Sequence, residues 1–153
     1  MKYFKWSFIS LLLVVFLTGC GSSAGGNKLV CSQKSDEEGI STEMKYTIEF
    51  KDEKPSIVDV ETKSIATSKD MKDNWDMLAG FMELGFSMFK DKAGITVTSN
   101  NDAKKYTYTL NMKIDLAKVE TEDLEELDMS DMTDSVDKET LKKELVAEGF
   151  TCK

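Results

Sequence analysis

The feature that most limits how this chain can fold is a strict alternation of apolar and polar residues late in the sequence. Apolar side chains occupy every second position from Tyr106 to Leu116, and a shorter run of the same kind spans Met44 to Phe50. Successive side chains of a strand point to opposite faces, so a period of two places these residues on one face. Both segments are predicted to be half-buried β-strands, and the longer one is expected to lie centrally in its sheet.

Further strands are indicated on either side of these two. Leu29 to Gln33 is a short first strand, and Ile57 to Thr67, rich in β-branched residues, follows a turn at Asp52 to Pro55. Ile95 to Thr98 is another strand, and a turn is predicted at Ser99 to Asp102. Strands joined by a few residues favour antiparallel hairpins. The sequence therefore predicts about five strands in one antiparallel sheet.

Between the two groups of strands the hydrophobic period changes to that of a helix. Thr67 or Ser68 can cap its N-terminus, and Gly94 is the expected terminator. Two apolar rows run along it at helical spacing: Met71, Trp75, Leu78, Met82, Gly85 and Phe89 in one, and Met77, Phe81, Leu84 and Met88 in the other. One long helix from Ser68 to Lys90 is expected.

A last helix is indicated near the C-terminus. Asp137 can cap its start, and Gly149 can end it while Phe150 packs on Leu145. The predicted fold class is α+β, an antiparallel sheet of about five strands with one long central helix and a C-terminal helix packed on it.

The N-terminal residues have the pattern of a secretory leader. Lys2 and Lys5 precede an apolar run that is too short for a membrane span of ~20 residues. Leu17 to Cys20, LTGC, resembles the bacterial lipobox, and this resemblance implies cleavage before Cys20 and a thioether-linked diacylglycerol on it. The alternative is an ordinary signal peptide followed by a chance cysteine.

These features divide the chain into three parts. Residues 1–19 are predicted to be a lipoprotein signal peptide, residues 20–27 a flexible tether, and residues 28–153 a single α+β lipoprotein domain. A glycine- and serine-rich tether of this length reaches roughly 15 Å. The expected location is the extracytoplasmic face of the cell membrane, with the lipid on Cys20 as the anchor.

The other two cysteines, Cys31 and Cys152, form an even pair in an extracytoplasmic compartment, and a disulfide is the favoured interpretation. It would close a loop of about 120 residues. A redox-active or metal-binding thiol and a pair of reduced thiols remain open alternatives.

Several short motifs resemble the YehR-like family of small bacterial lipoproteins. They are LTGC, the strand opening KLVCSQ, the alternating MKYTIEF and the cysteine near the C-terminus. The resemblance implies a fold for most of the mature chain, and it implies no activity, cofactor or catalytic residue.

Composition excludes several classes of function. The chain has no histidine and its 20 basic residues are all lysines, so serine–histidine–aspartate catalysis, cysteine–histidine catalysis and histidine-rich metal sites are excluded. Without Lys2 and Lys5, 18 lysines face 28 acidic residues, a net charge of −10. Such a surface is unsuited to nucleic acid. We expect no enzyme, cofactor or resident metal.

The candidate site is the apolar surface of the long helix. Trp75, Phe81, Met82 and Phe89 are the predicted ligand-binding residues, because methionine and aromatic side chains form adaptable apolar surfaces. A helix buried on two sides is the alternative. The expected function is a non-enzymatic binding or interaction module for an apolar ligand or an envelope protein, and the competing function is an envelope-structural or assembly role.

A run of nine carboxylates without a lysine extends from Glu120 to Asp137. Clustered carboxylates can bind calcium, but the order of acids typical of an EF-hand loop is absent. A solvated linker explains the run, and a calcium site remains the alternative.

Overall fold

The structure is a computed structural model that describes residues 27–129, 132 and 136–153. The predicted signal peptide, Cys20 and nearly all of the tether lie outside the described residues. The elements are, in chain order, β1 (Lys28–Glu37), β2 (Ile40–Lys51), β3 (Lys54–Ala66), α1 (Lys69–Asp73), α2 (Trp75–Ser87), β4 (Ile95–Asp102), β5 (Thr107–Asp115), α3 (Thr121–Glu126), α4 (Lys138–Ala147) and β6 (Thr151–Cys152).

The strands form one open, antiparallel sheet in the order β4-β5-β3-β2-β1-β6. The mixed α+β class is therefore confirmed, with six strands where about five were expected. The sixth is the two-residue β6, which pairs with Cys31 and Ser32. The strand with the long alternation, β5, lies inside the sheet but next to its β4 edge, and β3 and β2 are at the centre.

The prediction of a turn at Ser99 to Asp102 is wrong, because β4 continues to Asp102 and the turn follows at residues 103–106. Polar composition suggested the turn, yet Ser99 and Asn101 continue the alternation that begins at Ile95. Their side chains make hydrogen bonds to α2. Polar residues can occupy the inner face of a strand when each polar group has a partner there.

One face of the sheet is covered by the helices. Leu29, Ile48, Val58 and Ile114 are fully buried at the centre of the larger core cluster. A smaller cluster surrounds Trp75. The other face of the sheet carries polar and charged side chains, including those of Lys45, Asp59, Glu61 and Lys113.

The expected single long helix is two helices that meet at Asn74. The side-chain amide of Asn74 donates a hydrogen bond to the carbonyl of Asp70 at 2.9 Å, and its φ and ψ of −106° and 15° are not helical. Asparagine side chains compete for backbone partners in this way, which weakens a helix at that point. The second helix ends at Ser87, earlier than Lys90. Turns closed by hydrogen bonds between residues three positions apart follow it as far as Lys92.

The C-terminal helix packs on the sheet as predicted. An Asp137 carboxylate oxygen accepts hydrogen bonds from the backbone N–H groups of Glu139 and Thr140, both at 2.9 Å. Leu141 and Leu145 are buried in the larger cluster. The N–H of Phe150 donates to the carbonyl of Leu145 at 2.9 Å, which closes the helix after the expected capping pattern.

The acidic run is not a linker over its first third, because α3 forms there. Leu124 is buried, and the buried carboxylate of Asp123 lies 2.6 Å from the ammonium of Lys92. One apolar side chain and one ion pair therefore attach α3 to the rest of the domain. Asp131 and Asp134 of the same run lie outside the described residues.

A disulfide joins Cys31 of β1 to Cys152 of β6, with the two Cα atoms 4.0 Å apart. The two residues are also direct partners in the ladder between these strands. The bond links residues 121 positions apart and fixes the C-terminus to the first strand. In the described part of the chain, every helix is too short or too polar to cross a membrane.

Candidate functional site

The second helix, α2, has one buried face and one exposed apolar face. Trp75 and Ala79 are buried against the sheet. Four large apolar side chains on the opposite side form what we call the outer row: Met77, Phe81, Leu84 and Met88, which are 57%, 65%, 70% and 56% exposed. Their spacing of four, three and four residues places them in one stripe along the helix.

The four residues predicted to bind a ligand are divided between these two faces. Phe81 belongs to the outer row, whereas Trp75 and Phe89 are buried in the core. Met82 is partly buried against the cluster around Trp75. The structure therefore does not bring the four side chains together on one accessible surface, and the binding prediction now concerns the outer row.

Polar contacts fix the rotation of α2 on the sheet. The indole N–H of Trp75 donates to the side-chain oxygen of Asn101 on β4 at 2.9 Å. One Glu83 carboxylate oxygen accepts from the hydroxyls of Tyr108 at 2.7 Å and Ser99 at 2.5 Å, and the other accepts from the Lys90 ammonium. These contacts hold α2 at two points about two helical turns apart, so the outer row must face away from the sheet.

The electrostatics of this contact favour the charged carboxylate. The hydrogen bond from Lys90 is the largest cause, and those from Ser99 and Tyr108 add to it; together they lower the pKa of Glu83 to about 2. Burial is the main cause of the raised pKa of Tyr108, and its hydrogen bond to the Glu83 carboxylate raises it further. At neutral pH this is an ionised acceptor with neutral and cationic donors, which is a positioning contact and not an acid–base pair.

Sequence reasoning missed Glu83, Ser99 and Asn101. The two β4 residues were assigned to a turn, and Glu83 was given no role. The signal that could have found the β4 pair is their place in the alternation of Ile95 and Val97. No local pattern would have singled out Glu83.

The surface beside the outer row is accessible to another molecule. A Cβ atom placed on Gly80 or Gly85 would meet no other atom within 4 Å. Met77 and Met88 are eleven residues apart, so the apolar stripe is ~16 Å long at the usual helical rise. An apolar partner could therefore contact both the row and the helix backbone beside it.

Other predicted functional elements have the following positions. Within the described ranges, no three acidic or cysteine side chains are grouped to hold a metal ion. Val146 on α4 is a further large apolar side chain, 51% exposed, and it is well separated from the outer row in sequence. Cys20, the predicted site of lipid attachment, is outside the described residues.

Comparison with known proteins supports the fold. Neither a family model nor a curated protein sequence matches the chain. A Streptococcus pneumoniae TIGR4 protein solved by NMR has a TM-score of 0.52 at 12% identity, over 100% of this chain and 98% of that one. The NMR structure of E. coli YehR has a TM-score of 0.51 at 19% identity, over 84% and 92%. The chain shares the fold of these two proteins.

Proposed function

We propose that this protein is a non-enzymatic interaction module, anchored by lipid on Cys20 to the extracytoplasmic face of the membrane, which binds an apolar ligand or an envelope protein through the outer row. The observation that carries the proposal is the exposure of Met77, Phe81, Leu84 and Met88 on one stripe of α2. Large apolar side chains exposed together are typical of interaction surfaces.

The energetics of the outer row are sufficient for reversible binding. Covering the exposed parts of its four side chains would contribute roughly 1–2 kcal/mol each. Association and ordering of side chains cost several kcal/mol, so most of this gain is offset. A partner covering only the row would therefore bind weakly, and a tighter partner must extend over Gly80, Gly85 and the adjoining surface.

Sequence features support the anchor and the family. The leader and LTGC have the order of a lipoprotein signal, and β1 begins at Lys28, directly after the proposed tether. The fold likeness to YehR agrees with the proposal that the chain is a YehR-like lipoprotein. The membrane anchor would hold the outer row within reach of other envelope components.

Crosslinking in cells tests the binding surface. A photoreactive residue replaces Phe81 in one strain and Val146, the matched exposed apolar control on α4, in another. We expect a defined adduct from position 81 and none of the same mass from position 146. Adding Leu84→Ser should reduce the adduct at position 81, because the partner loses part of its contact.

The mass of the adduct separates the two candidate functions. A small apolar molecule supports ligand binding, and one abundant envelope protein supports the envelope-structural or assembly role. Equal adducts from positions 81 and 146, or adducts unaffected by Leu84→Ser, would refute the outer row as the binding surface.

The anchor is tested separately. Mass spectrometry of the native protein should show an N-terminal, diacylglycerol-modified Cys20, and Cys20→Ser should move the protein out of the membrane fraction. Ser23→Ala, a neighbouring change in the tether, should leave it there. Native protein with an unmodified Cys20 would contradict the proposal.

A further inference from the structure

The two edges of the sheet are built differently. At one edge, β6 pairs with Cys31 and Ser32 of β1, and the disulfide fixes this pairing. The side-chain amide of Gln33 donates to the Glu148 carbonyl at 3.1 Å. Three charged residues continue this edge: Lys34, Asp36 and Glu37. Covering segments and charged side chains are common means by which proteins prevent their sheets from pairing edge to edge.

The opposite edge, the free side of β4, has none of these protections. The strand is eight residues long, and its register with β5 is unbroken from Ile95 to Asp102. It contains neither lysine nor proline, and Asp102 at its end is its one charged residue. Among the described residues, no backbone group bonds to its free side between Thr96 and Asn101. This edge is therefore open to a further strand.

The ladder with β5 shows which backbone groups of β4 are free. The Asp115 N–H donates to the Gly94 carbonyl at 2.8 Å. In an antiparallel ladder, residues directly opposite each other alternate between exchanging hydrogen bonds and facing away. Counting from Gly94, the even-numbered residues of β4 bond to β5. The odd-numbered residues from Val97 to Asn101 therefore direct their N–H and C=O groups to the free edge.

The free edge is held in place before a partner binds. Asn101 accepts a hydrogen bond from Trp75 at 2.9 Å, and Ser99 donates one to Glu83 at 2.5 Å. These bonds attach β4 to α2 along the length over which its backbone groups are free. A partner strand would meet a preformed row of donors and acceptors, so little conformational freedom of β4 is lost on binding.

We propose that this edge binds the same edge of a second copy of the chain, with the two β4 strands antiparallel about a two-fold axis at Thr98. The strand pairs within the sheet are antiparallel, and the two-fold axis continues that pattern. The Thr98 side chains of the two copies are then directly opposite. Three kinds of pair, all uncharged, follow on either side: Val97 with Ser99, Thr96 with Asn100, and Ile95 with Asn101.

Charge selects this register. A two-fold axis at Ser99 would match the free backbone groups equally well, because it also pairs odd-numbered residues. It would, however, place the two Ser99 hydroxyls directly opposite each other, and each is bonded to a Glu83 carboxylate. Like charges facing each other across strands are destabilising. The axis at Thr98 moves these carboxylates apart.

The dimer has a consequence for the rest of the molecule. A two-fold axis of this kind joins the two sheets edge to edge, with each copy contributing six strands. The polar faces of both sheets lie on one side, and both helical layers lie on the other. The outer rows of the two copies therefore face the same way.

Disulfide cross-linking tests the pairing and its register. Full-length Thr98→Cys is oxidised mildly in a lysate solubilised with nonionic detergent and run on a nonreducing gel. Opposite residues that are not hydrogen-bonded to each other have Cα atoms ~4.5 Å apart, which a disulfide can span, so most of the variant should become a linked dimer. Thr96→Cys and Asn100→Cys should each give little linked dimer, whereas the variant with both changes should give much.

Asn111→Cys is the matched control. Asn111 is exposed on the same face of the sheet and lies opposite Thr98 on β5. In the dimer its two copies would be three strand spacings apart, ~14 Å, which is too far for a disulfide. Equal yields of linked dimer from Thr98→Cys and Asn111→Cys would reflect random collision and would overturn the proposal.

A lysine at the axis tests the dimer without a covalent bond. Thr98→Lys places like charges directly opposite each other and should raise the dimer dissociation constant at least about fivefold, measured by sedimentation equilibrium in nonionic detergent. Asn111→Lys adds the same charge one strand inside the edge and should leave the constant unchanged. In hydrogen exchange, the amides of Val97, Ser99 and Asn101 should be protected in the wild-type dimer and exchange rapidly in Thr98→Lys.

Two further results would overturn the proposal. A wild type that sediments as a monomer at all concentrations, with these three amides exchanging rapidly, would show that the edge stays open. Protection of the same amides that persists in a monomeric Thr98→Lys would show that another segment of the same chain covers β4.

Discussion

Breaking the disulfide between Cys31 and Cys152 should destabilise the domain more than any single surface change. The bond closes a loop between residues 121 positions apart. The chain-entropy relation gives about 5 kcal/mol for a loop of this length, from the greater freedom of the unfolded chain. The bond also holds the two-residue β6 beside β1, where the Lys153 N–H donates to the Val30 carbonyl at 2.8 Å.

The measurement is urea denaturation of the wild type, of the wild type with reductant, and of Cys31→Ala/Cys152→Ala. The free energy of unfolding should fall by several kcal/mol in both the reduced wild type and the double variant. For a domain of this size, such a loss corresponds to a fall in Tm of about 15 °C. The reduced wild type keeps the buried sulfur of Cys31, so the difference between the two measures packing alone.

Hydrogen exchange then locates the loss. The Lys153 amide should lose protection first, before the amides of β2 and β3 at the centre of the sheet. A reduced wild type whose unfolding free energy is within about 0.5 kcal/mol of the oxidised form would refute the loop-entropy reasoning.

Three further predictions concern α2 and α3. The Glu83 carboxylate has its pKa lowered to about 2 in the folded state, so its stabilisation is complete above the unfolded value of 4.5 and is lost as pH falls from about 5 to 2. Glu83→Gln should therefore flatten the pH dependence of the urea midpoint over this range. Because the Glu83 side chain is partly exposed, the variant should lose only about 1 kcal/mol of unfolding free energy at pH 6. An unchanged pH dependence would contradict this. In thermal unfolding, Trp75→Ala should lower the free energy of unfolding by about 3–5 kcal/mol and Phe81→Ser by less than ~0.5 kcal/mol. Similar losses from the two variants would mean that the buried and exposed faces of α2 are wrongly assigned. Lys92→Met should lower the free energy of unfolding by leaving the buried Asp123 carboxylate unpaired, whereas Lys104→Met, an exposed control, should be neutral in the same assay.

Much of the fold could be predicted from local patterns. The alternation in β2 and β5 identified half-buried strands, and the Asp137 cap with the Leu145–Phe150 contact identified α4. These signals are local, because they depend on the geometry of a few consecutive residues. Two errors arose where a polar residue acts through a distant partner: Asn101 bonds to Trp75, and Asp123 pairs with Lys92. The break between α1 and α2 has a local cause, the hydrogen bond from Asn74 to Asp70, which the apolar periodicity of the segment does not show.

The candidate site was predicted only in part. Both apolar rows of α2 can be read from the sequence, yet Phe81 is the one proposed ligand-binding residue that lies in the outer row. The two rows have similar composition, so their periodicity alone could not tell which would be covered. The hydrogen bonds of Glu83 and Trp75 to β4 and β5 decide the rotation of the helix, and none of these contacts is local.

The sequence by itself determined where this chain alternates and where it is helical, because these properties follow from the periods of strands and helices. The tertiary structure alone decided which apolar side chains remain exposed and which polar side chains of β4 and β5 hold α2 in place. Burial and charge at those places depend on contacts between elements that are far apart along the chain.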